Sequence, residues 1–218
     1  MNRSLLTHGI FIVTVVTGCA GTAGIAPPPE IPAIRANVVS LATDQWFVYY
    51  SNGVPPHPSR FGDGWTLDLP RSADDGHVNY VQTPFNATTL MHYVSVTFKI
   101  DSASPEYHVT DSTDILPATM HLFIEKKGDD LRDPNGRWWA SHGYTLDPKD
   151  SETMSITVQF TPDFWSNVLG QQDSASFHDA LENIAWIGFT LGGQYFFGHG
   201  VSVASGSAKL VLVGFDVN

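Results

Sequence analysis

The sequence contains one cysteine, Cys19, in 218 residues. An intramolecular disulfide is therefore impossible, and the fold cannot depend on a disulfide framework. Basic residues are also few, with 11 Lys and Arg against 22 Asp and Glu, and no basic cluster is larger than the pair Lys126 and Lys127. Binding to a phosphate backbone needs a concentrated positive surface, so nucleic acid is not an expected partner.

Glutamate is scarce as well. Only five of the 22 acidic residues are Glu, and the 17 Asp residues occur among Gly, Pro, Ser and Asn. This composition is typical of turns rather than of helices. With 218 residues, 42% of them hydrophobic and 12% aromatic, the chain can bury one sizeable core, and a single β-rich domain is the natural expectation.

Several enzyme motifs are missing. The chain has no Gly-x-Ser-x-Gly elbow, no His-Glu-x-x-His, no phosphate-binding loop and no Gly-x-Gly-x-x-Gly before a helix. The Glu-x-Asp-x-x-Glu run of jelly-roll glucanases is also absent, although Glu125 with a distant Asp could supply the two carboxylates that glycoside hydrolysis needs. We therefore expect a non-catalytic protein, with a polysaccharide hydrolase or lyase as an alternative.

No local metal motif is present. The histidines beyond the first 18 residues include no pair at i,i+2 or i,i+4 spacing, and we expect no cofactor. A structural Ca²⁺ remains open because it binds carboxylate oxygens, although no spacing identifies a site. The aspartates that could contribute are Asp63, Asp68, Asp74, Asp75 and Asp216.

The N-terminus carries an export signal. Residues 1–18 combine the basic Arg3, an apolar stretch from Ile10 to Val16 and small residues at the end. These features predict a secretory signal peptide that is too short to span a bilayer. The junction Val16-Thr17-Gly18-Cys19 resembles the lipobox of bacterial lipoproteins, which implies that Cys19 is acylated and becomes the mature N-terminus.

Residues 19–37 are predicted to tether the domain to the membrane. Pro27-Pro28-Pro29 and Pro32 favour an extended segment that holds residues 38–218 away from the lipid. The lipoprotein resemblance implies an exported protein in the cell envelope, with the membrane contacted through the lipid anchor only. Ala20 after the cysteine implies the outer membrane if the host is Gram-negative.

From Val38 onward, short apolar or alternating segments recur between turn signals, and this spacing predicts a two-sheet antiparallel β-sandwich of the jelly-roll type. The runs Ile184–Leu191 and Lys209–Val217 are apolar on both faces, so we place them in the middle of sheets. The candidate strands are Val38–Leu41, Trp46–Tyr50, Trp65–Leu69, His77–Gln82, Met91–Ile100, Ala118–Glu125, Arg137–Ser141, Thr153–Phe160, Ile184–Leu191 and Lys209–Val217.

Two short helical segments interrupt the strands. Thr161-Pro162 predicts the start of the first, which ends at Gly170, and Ser174 or Ser176 begins the second. The order Trp165-Ser166-Asn167-Val168-Leu169-Gly170, Ala180-Leu181, Ile187-Gly188-Phe189 and the closing Ala208–Leu212 strand resembles the C-terminal half of galactose-binding-like jelly rolls, which include many carbohydrate-binding modules. The resemblance implies this fold and a carbohydrate ligand, but it identifies no binding residue.

The hairpin on either side of residues 127–136 provides a candidate binding face. If Glu125 lies opposite Arg137, a register that opposite charges favour, then Phe123 faces Trp139 and His121 joins them on one side of the sheet. An aromatic ring, a carboxylate, a guanidinium and an imidazole together suit a sugar, which needs ring stacking and charged hydrogen bonds. A loop or outer strand that covers Trp139 is the alternative.

Tyr195 and His199, in the glycine-rich segment before the last strand, complete the set of candidate carbohydrate-binding residues. The sequence thus predicts a lipid-anchored, non-catalytic β-sandwich that binds a glycan or polysaccharide. A structural or protein-binding envelope lipoprotein is the alternative from a different class, and it would show a large apolar patch instead of an aromatic-floored groove.

Overall fold

The computed structural model describes residues 37–87, 90–109, 117–146, 152–193 and 199–218. All of them belong to the second of two compact units, Ile34–Asn218. The predicted signal peptide and all but the last residue of the predicted tether lie outside this description, as does Tyr195. Among the described residues, no helix is long and apolar enough to cross a membrane.

The described residues form thirteen strands, one α-helix and two short 3₁₀ helices, Thr43–Gln45 and Pro162–Phe164. The strands and the α-helix have the following bounds: β1 Asn37–Val38, β2 Phe47–Tyr49, β3 Ser59–Phe61, β4 Gly64–Asp68, β5 Tyr80–Pro84, β6 Tyr93–Val109, β7 Thr119–Lys126, β8 Arg137–Ala140, β9 Tyr144–Thr145, β10 Met154–Gln159, β11 Trp165–Asn167, α1 Ser174–Glu182, β12 Ile184–Gly192 and β13 Val201–Val217.

The strands form two antiparallel sheets, and the predicted β-sandwich is confirmed. Sheet A has the order β10-β6-β13-β4-β3, with β1 also paired to β13. Sheet B has the order β11-β8-β7-β12-β5-β2, with β9 also paired to β7. The two strands that were expected inside sheets, β12 and β13, each have a partner on both sides.

Large aromatic rings from both sheets fill the core. Trp46, which precedes β2, contacts Trp65 of β4 at 5.2 Å and Phe215 of β13 at 5.3 Å between ring centroids. Trp65 in turn stacks near Phe189 of β12 at 6.3 Å. Because β4 and β13 belong to sheet A and β12 to sheet B, this cluster joins the two layers, and burial of such rings is a major source of sandwich stability.

The helical predictions are confirmed in part. Helix α1 begins at Ser174, and the side chain of Asp173 caps it by accepting a hydrogen bond from the Ser176 backbone N–H. Phe177 of α1 contacts Trp138 at 5.2 Å, so the helix covers one end of the core. The first predicted helix is shorter than expected, because after Pro162–Phe164 the chain extends into β11, which pairs with β8.

Candidate functional site

The outer face of sheet B collects most of the predicted binding residues. In β7 and β8, Leu122, Ile124 and Trp138 point into the core, so their neighbours alternate to the outside. The predicted register is observed: Phe123 lies opposite Trp139, and Glu125 lies opposite Arg137. His121 is on the same face and its Nδ1 lies 2.8 Å from the carbonyl oxygen of Ala140.

The rings expected to stack on a sugar are covered. Phe123 is 0% exposed and Trp139 is 1% exposed, and with Tyr80 of β5 they form an aromatic cluster separate from the sandwich core. We call these three residues the covered cluster. His121 is also buried, and burial lowers the pKa of its imidazole, against the opposing effect of the Ala140 carbonyl. The prediction of an accessible ring at Trp139 is therefore corrected in favour of the alternative, a covered Trp.

Among the described residues, the side chains of Tyr50 and Arg137 contribute to the cover of these rings. The ring of Tyr50 meets Tyr80 edge-on at 5.1 Å, and the Arg137 guanidinium lies 5.8 Å from the centroid of Trp139. Burial raises the pKa of the Tyr80 phenol, and the nearby Arg137 guanidinium opposes this effect. The Arg137 side chain itself is only 12% exposed. A sugar therefore cannot reach the faces of the covered rings without displacing these groups.

Asp129, from the loop between β7 and β8, holds Arg137 in this position. Its Oδ2 atom lies 2.9 Å from Arg137 Nε, and its side chain is fully buried. Gly136 makes room for Asp129, because a Cβ atom at this position would lie 2.6 Å from the Asp129 carboxyl carbon. Arg137 thus forms its ion pair with the loop and not with Glu125, which it faces across the strands.

Glu125 is half-buried on the outer face, with Trp186 of β12 opposite it on the other side. Burial is the largest cause that raises the pKa of this carboxyl, to about 7, with repulsion from Asp129 adding to the effect and Arg137 opposing it. Asp129 is buried and ion-paired, so Glu125 and Asp129 are not two accessible carboxylates. The converging pair that a hydrolase would use is not formed by these residues.

The accessible aromatic rings of this face lie beside the covered cluster, towards β2. Tyr49 is 40% exposed and Tyr50 is 51% exposed, while Phe47 and Trp186 are half-buried. Phe47 and Tyr49 are almost parallel at 5.7 Å. Trp186 stands nearly perpendicular to both, 5.7 Å from Phe47 and 5.8 Å from Tyr49. We call these four residues the aromatic platform.

Strand pairing explains why these residues meet. Two successive pairings put β2 beside β5 and β5 beside β12, with Phe47 opposite Gln82, and Gln82 opposite Gly188. Tyr49 is two residues after Phe47, and Trp186 is two residues before Gly188. Because side chains in a strand alternate between faces, Tyr49 and Trp186 lie on the same face as Phe47.

Tyr50 adopts the left-handed backbone region, with φ of 49°. A non-glycine residue in this region carries conformational strain on the order of 1 kcal/mol, and the surrounding contacts hold it. His77 Nε2 lies 3.3 Å from the Tyr50 carbonyl oxygen, and Ser51 Oγ accepts the Asn79 backbone N–H at 2.9 Å. The turn that presents the Tyr50 ring is therefore fixed by hydrogen bonds to the segment that precedes β5.

The remaining candidates lie elsewhere. His199 is exposed and precedes Gly200, which packs against the ring of His77. Asp68 forms an ion pair with Lys209 at 3.4 Å. In the part of the chain that the structure describes, no three His, Cys, Asp or Glu side chains are grouped to hold a metal ion. None of the five aspartates considered for calcium belongs to such a group there.

Comparison with solved structures finds similar chains, whereas the two sequence comparisons, with family models and with curated proteins, find no match. The chain is similar to a solved structure described as "xylan-binding module CBM15", with 11% sequence identity, coverage of 82% of this chain and 97% of that chain, and a TM-score of 0.45. This degree of similarity assigns neither a ligand nor a binding residue to the present chain.

Sequence reasoning missed the platform residues as a group. Tyr49 and Tyr50 are visible as an aromatic pair, and Phe47 alternates with Trp46 and Val48, which indicates a ring on each face of the strand. The adjacency of β2, β5 and β12 carries no local signal, because the three strands are far apart in the chain.

Proposed function

We propose that the protein binds carbohydrate on the aromatic platform. The observation that carries the proposal is the cluster of two exposed rings, Tyr49 and Tyr50, with two half-buried rings, Phe47 and Trp186, on one face of sheet B. The half-buried Glu125 lies opposite Trp186. Aromatic rings offer an apolar surface to the C–H face of a sugar, and a carboxylate accepts hydrogen bonds from its hydroxyls. The rings are held in place by the sheet, so little order has to be gained on binding.

The other exposed large hydrophobic residues support this choice of face. These residues are between 43% and 79% exposed: Phe61, Leu90, Leu131, Phe164, Val168, Leu169 and Val213. Only two of them carry aromatic rings, and these two lie on different elements, Phe61 on β3 and Phe164 at the end of a 3₁₀ helix. Single exposed apolar residues are ordinary on a protein surface, whereas clustered rings indicate a binding site.

The proposal is tested with the purified full chain on a panel of xylan, cellulose, mixed-linkage β-glucan, mannan and chitin. Trp186→Ala and Tyr49→Ala should each weaken binding to the recognised glycan at least about tenfold, since stacking contributes on the order of 1 kcal/mol or more beyond area burial. Phe61→Ala is the matched control, because Phe61 is 50% exposed on β3 of sheet A. Its binding should equal that of the wild type.

Two results would contradict the proposal. One is equal loss of binding in Phe61→Ala and Trp186→Ala. The other is a folded wild-type protein that binds no glycan, which would favour the alternative of a protein-binding envelope protein.

We further propose that the domain is held in the cell envelope by a lipid on Cys19. The support is the lipobox-like junction that ends at Cys19 and the proline-rich segment that follows it. In a bacterial host, radiolabelled palmitate should label the wild type and not Cys19→Ser, and the variant should leave the membrane fraction. Equal labelling of both proteins would overturn this assignment.

A further inference from the structure

Glu125 lies beside the aromatic platform and has a carboxylate that is available to a ligand. It is half-buried, it faces Trp186 on one neighbouring strand and Arg137 on the other, and within the described residues its carboxylate has no hydrogen bond or ion pair. A carboxylate that is removed from water without a partner carries an unfavourable desolvation free energy. A ligand hydroxyl or cation at this position would relieve that cost.

The nearest cation, Arg137, does not form an ion pair with the Glu125 carboxylate. Arg137 contacts Asp129 through Nε, lies over Trp139 and is 3.4 Å from the Leu131 carbonyl oxygen through Nη2. The two lysines that follow Glu125 are also engaged: Lys126 pairs with Asp179 of α1, and Lys127 Nζ lies 3.5 Å from Asn86 Oδ1. An anionic sugar on the platform would therefore meet no unengaged cation among these groups.

The local charge is negative when Glu125 is ionised. The charged groups that act on Glu125 are Asp129 and Arg137, and the phenols of Tyr50 and Tyr80 lie close enough to interact with it electrostatically. Asp129 and Arg137 compensate each other, and burial raises the pKa of both phenols, which keeps them neutral. Of these groups, Glu125 is therefore the one whose charge is not compensated by a neighbour when a ligand binds.

On the basis of the proposed carbohydrate function, we infer that Glu125 determines the charge class of the glycan, favouring neutral or amine-bearing sugars and rejecting those that carry a uronate or sulfate group. The carboxylate accepts hydrogen bonds from neutral hydroxyls and attracts a protonated amine. It repels a second anion across a partly desolvated face, where like charges interact more strongly than in water.

The test uses a glycan array in which the same backbones are present in neutral form, in uronate-bearing form and with free amines. The purified full chain should bind the neutral or amine-bearing member of each recognised set at least about tenfold more tightly than the uronate member, the effect expected of one charged contact. Glu125→Gln should reduce this ratio about tenfold. Glu152→Gln is the matched control, because Glu152 is exposed ahead of β10 of sheet A.

The pH provides a second readout. The preference for neutral over uronate glycans should rise as the pH increases from 5.5 to 8.5, because Glu125 ionises with a pKa of about 7, and it should be flat in Glu125→Gln.

Each outcome bears on a different statement. Wild-type binding that does not distinguish neutral from uronate members, or an unchanged ratio in Glu125→Gln, would overturn the role of Glu125 while the platform stands. Binding that depends on Glu125 but not on Trp186 would overturn the platform. Absence of binding to every member would overturn both.

Discussion

Trp138 and Trp139 are neighbours in the sequence, yet their rings lie on opposite faces of sheet B. Trp138 contacts Phe177 inside the sandwich at 5.2 Å, and Trp139 contacts Phe123 outside it at 5.5 Å. The strand alternation requires this separation. As a result, β8 supplies one ring to the sandwich core and one ring to the covered cluster.

Both rings should therefore contribute to stability. Trp138→Ala and Trp139→Ala should each lower the free energy of unfolding by about 3–5 kcal/mol, since each removes a fully buried ring. Trp186→Ala, at a half-buried position, should cost less, about 1 kcal/mol. Urea denaturation followed by circular dichroism measures all three. A Trp139→Ala protein as stable as the wild type would contradict the burial of this ring.

Glu125 should make stability depend on pH in a defined direction. Its pKa in the folded protein is about 7, above the ordinary 4.5, so between these values the folded state binds more protons than the unfolded state. Stability from this group is present at low pH and is lost as the pH rises through about 7. Glu125→Gln removes the effect.

The measurement is the difference in unfolding free energy between wild type and Glu125→Gln. Gln should be about equal to the wild type at pH 5 and more stable by on the order of 2 kcal/mol at pH 8, a value reduced for solvent screening. The same measurement on Glu152→Gln, a substitution at an exposed position ahead of β10 of sheet A, provides the control. A variant that becomes less stable than the wild type at pH 8 would show that the ionised carboxylate is stabilised in the fold.

Gly188 allows β12 and β5 to approach closely. A Cβ atom at this position would collide with the carbonyl oxygen of Val81 and would lie 2.7 Å from the Cα atom of Gln82. Both are backbone atoms that cannot move without displacing β5. Gly188→Ala should therefore cost about 3 kcal/mol or more, and it should disturb Phe47 on the strand beyond.

Gly214 provides the comparison for Gly188. In β13 of sheet A, a Cβ atom would find its nearest neighbour, Thr97 Cβ, at 3.4 Å, which is an ordinary contact. Gly214→Ala should change stability by less than about 1 kcal/mol. Thermal unfolding of Gly188→Ala and Gly214→Ala tests both predictions. Equal shifts in Tm would contradict the statement that the close approach of β12 and β5 requires a glycine at position 188.

The hairpin of β7 and β8 was predictable because its information is local. Charge and alternation indicated the register that places Glu125 opposite Arg137, and the structure has this register. The ion pair itself was not predictable, because it is made by Asp129 from a loop whose path depends on Gly136 and on the turn at Lys126. The sequence therefore predicted which residues share the outer face of β7 and β8, but not which side chains cover Trp139.

The strands missed by sequence reasoning are short or irregular. Ser59–Phe61, Tyr144–Thr145 and Trp165–Asn167 have two or three residues each, too few for an alternation pattern to be recognised. Conversely, β6 and β13 extend over 17 residues each, beyond the apolar runs predicted for them. Hydrogen bonding between the two strands continues through polar segments that resemble turns when taken alone.

The position of β13 has a consequence for how the chain folds. This strand lies between β6 and β4 and also pairs with β1, so the pairings of sheet A cannot be completed until residues 201–217 have been synthesised. Pairing of such distant segments is slow compared with local structure formation. A chain that terminates before Val201 would leave β6 and β4 with open edges, and open edges recruit strands from other molecules. Premature termination should therefore yield aggregates and not a smaller folded domain.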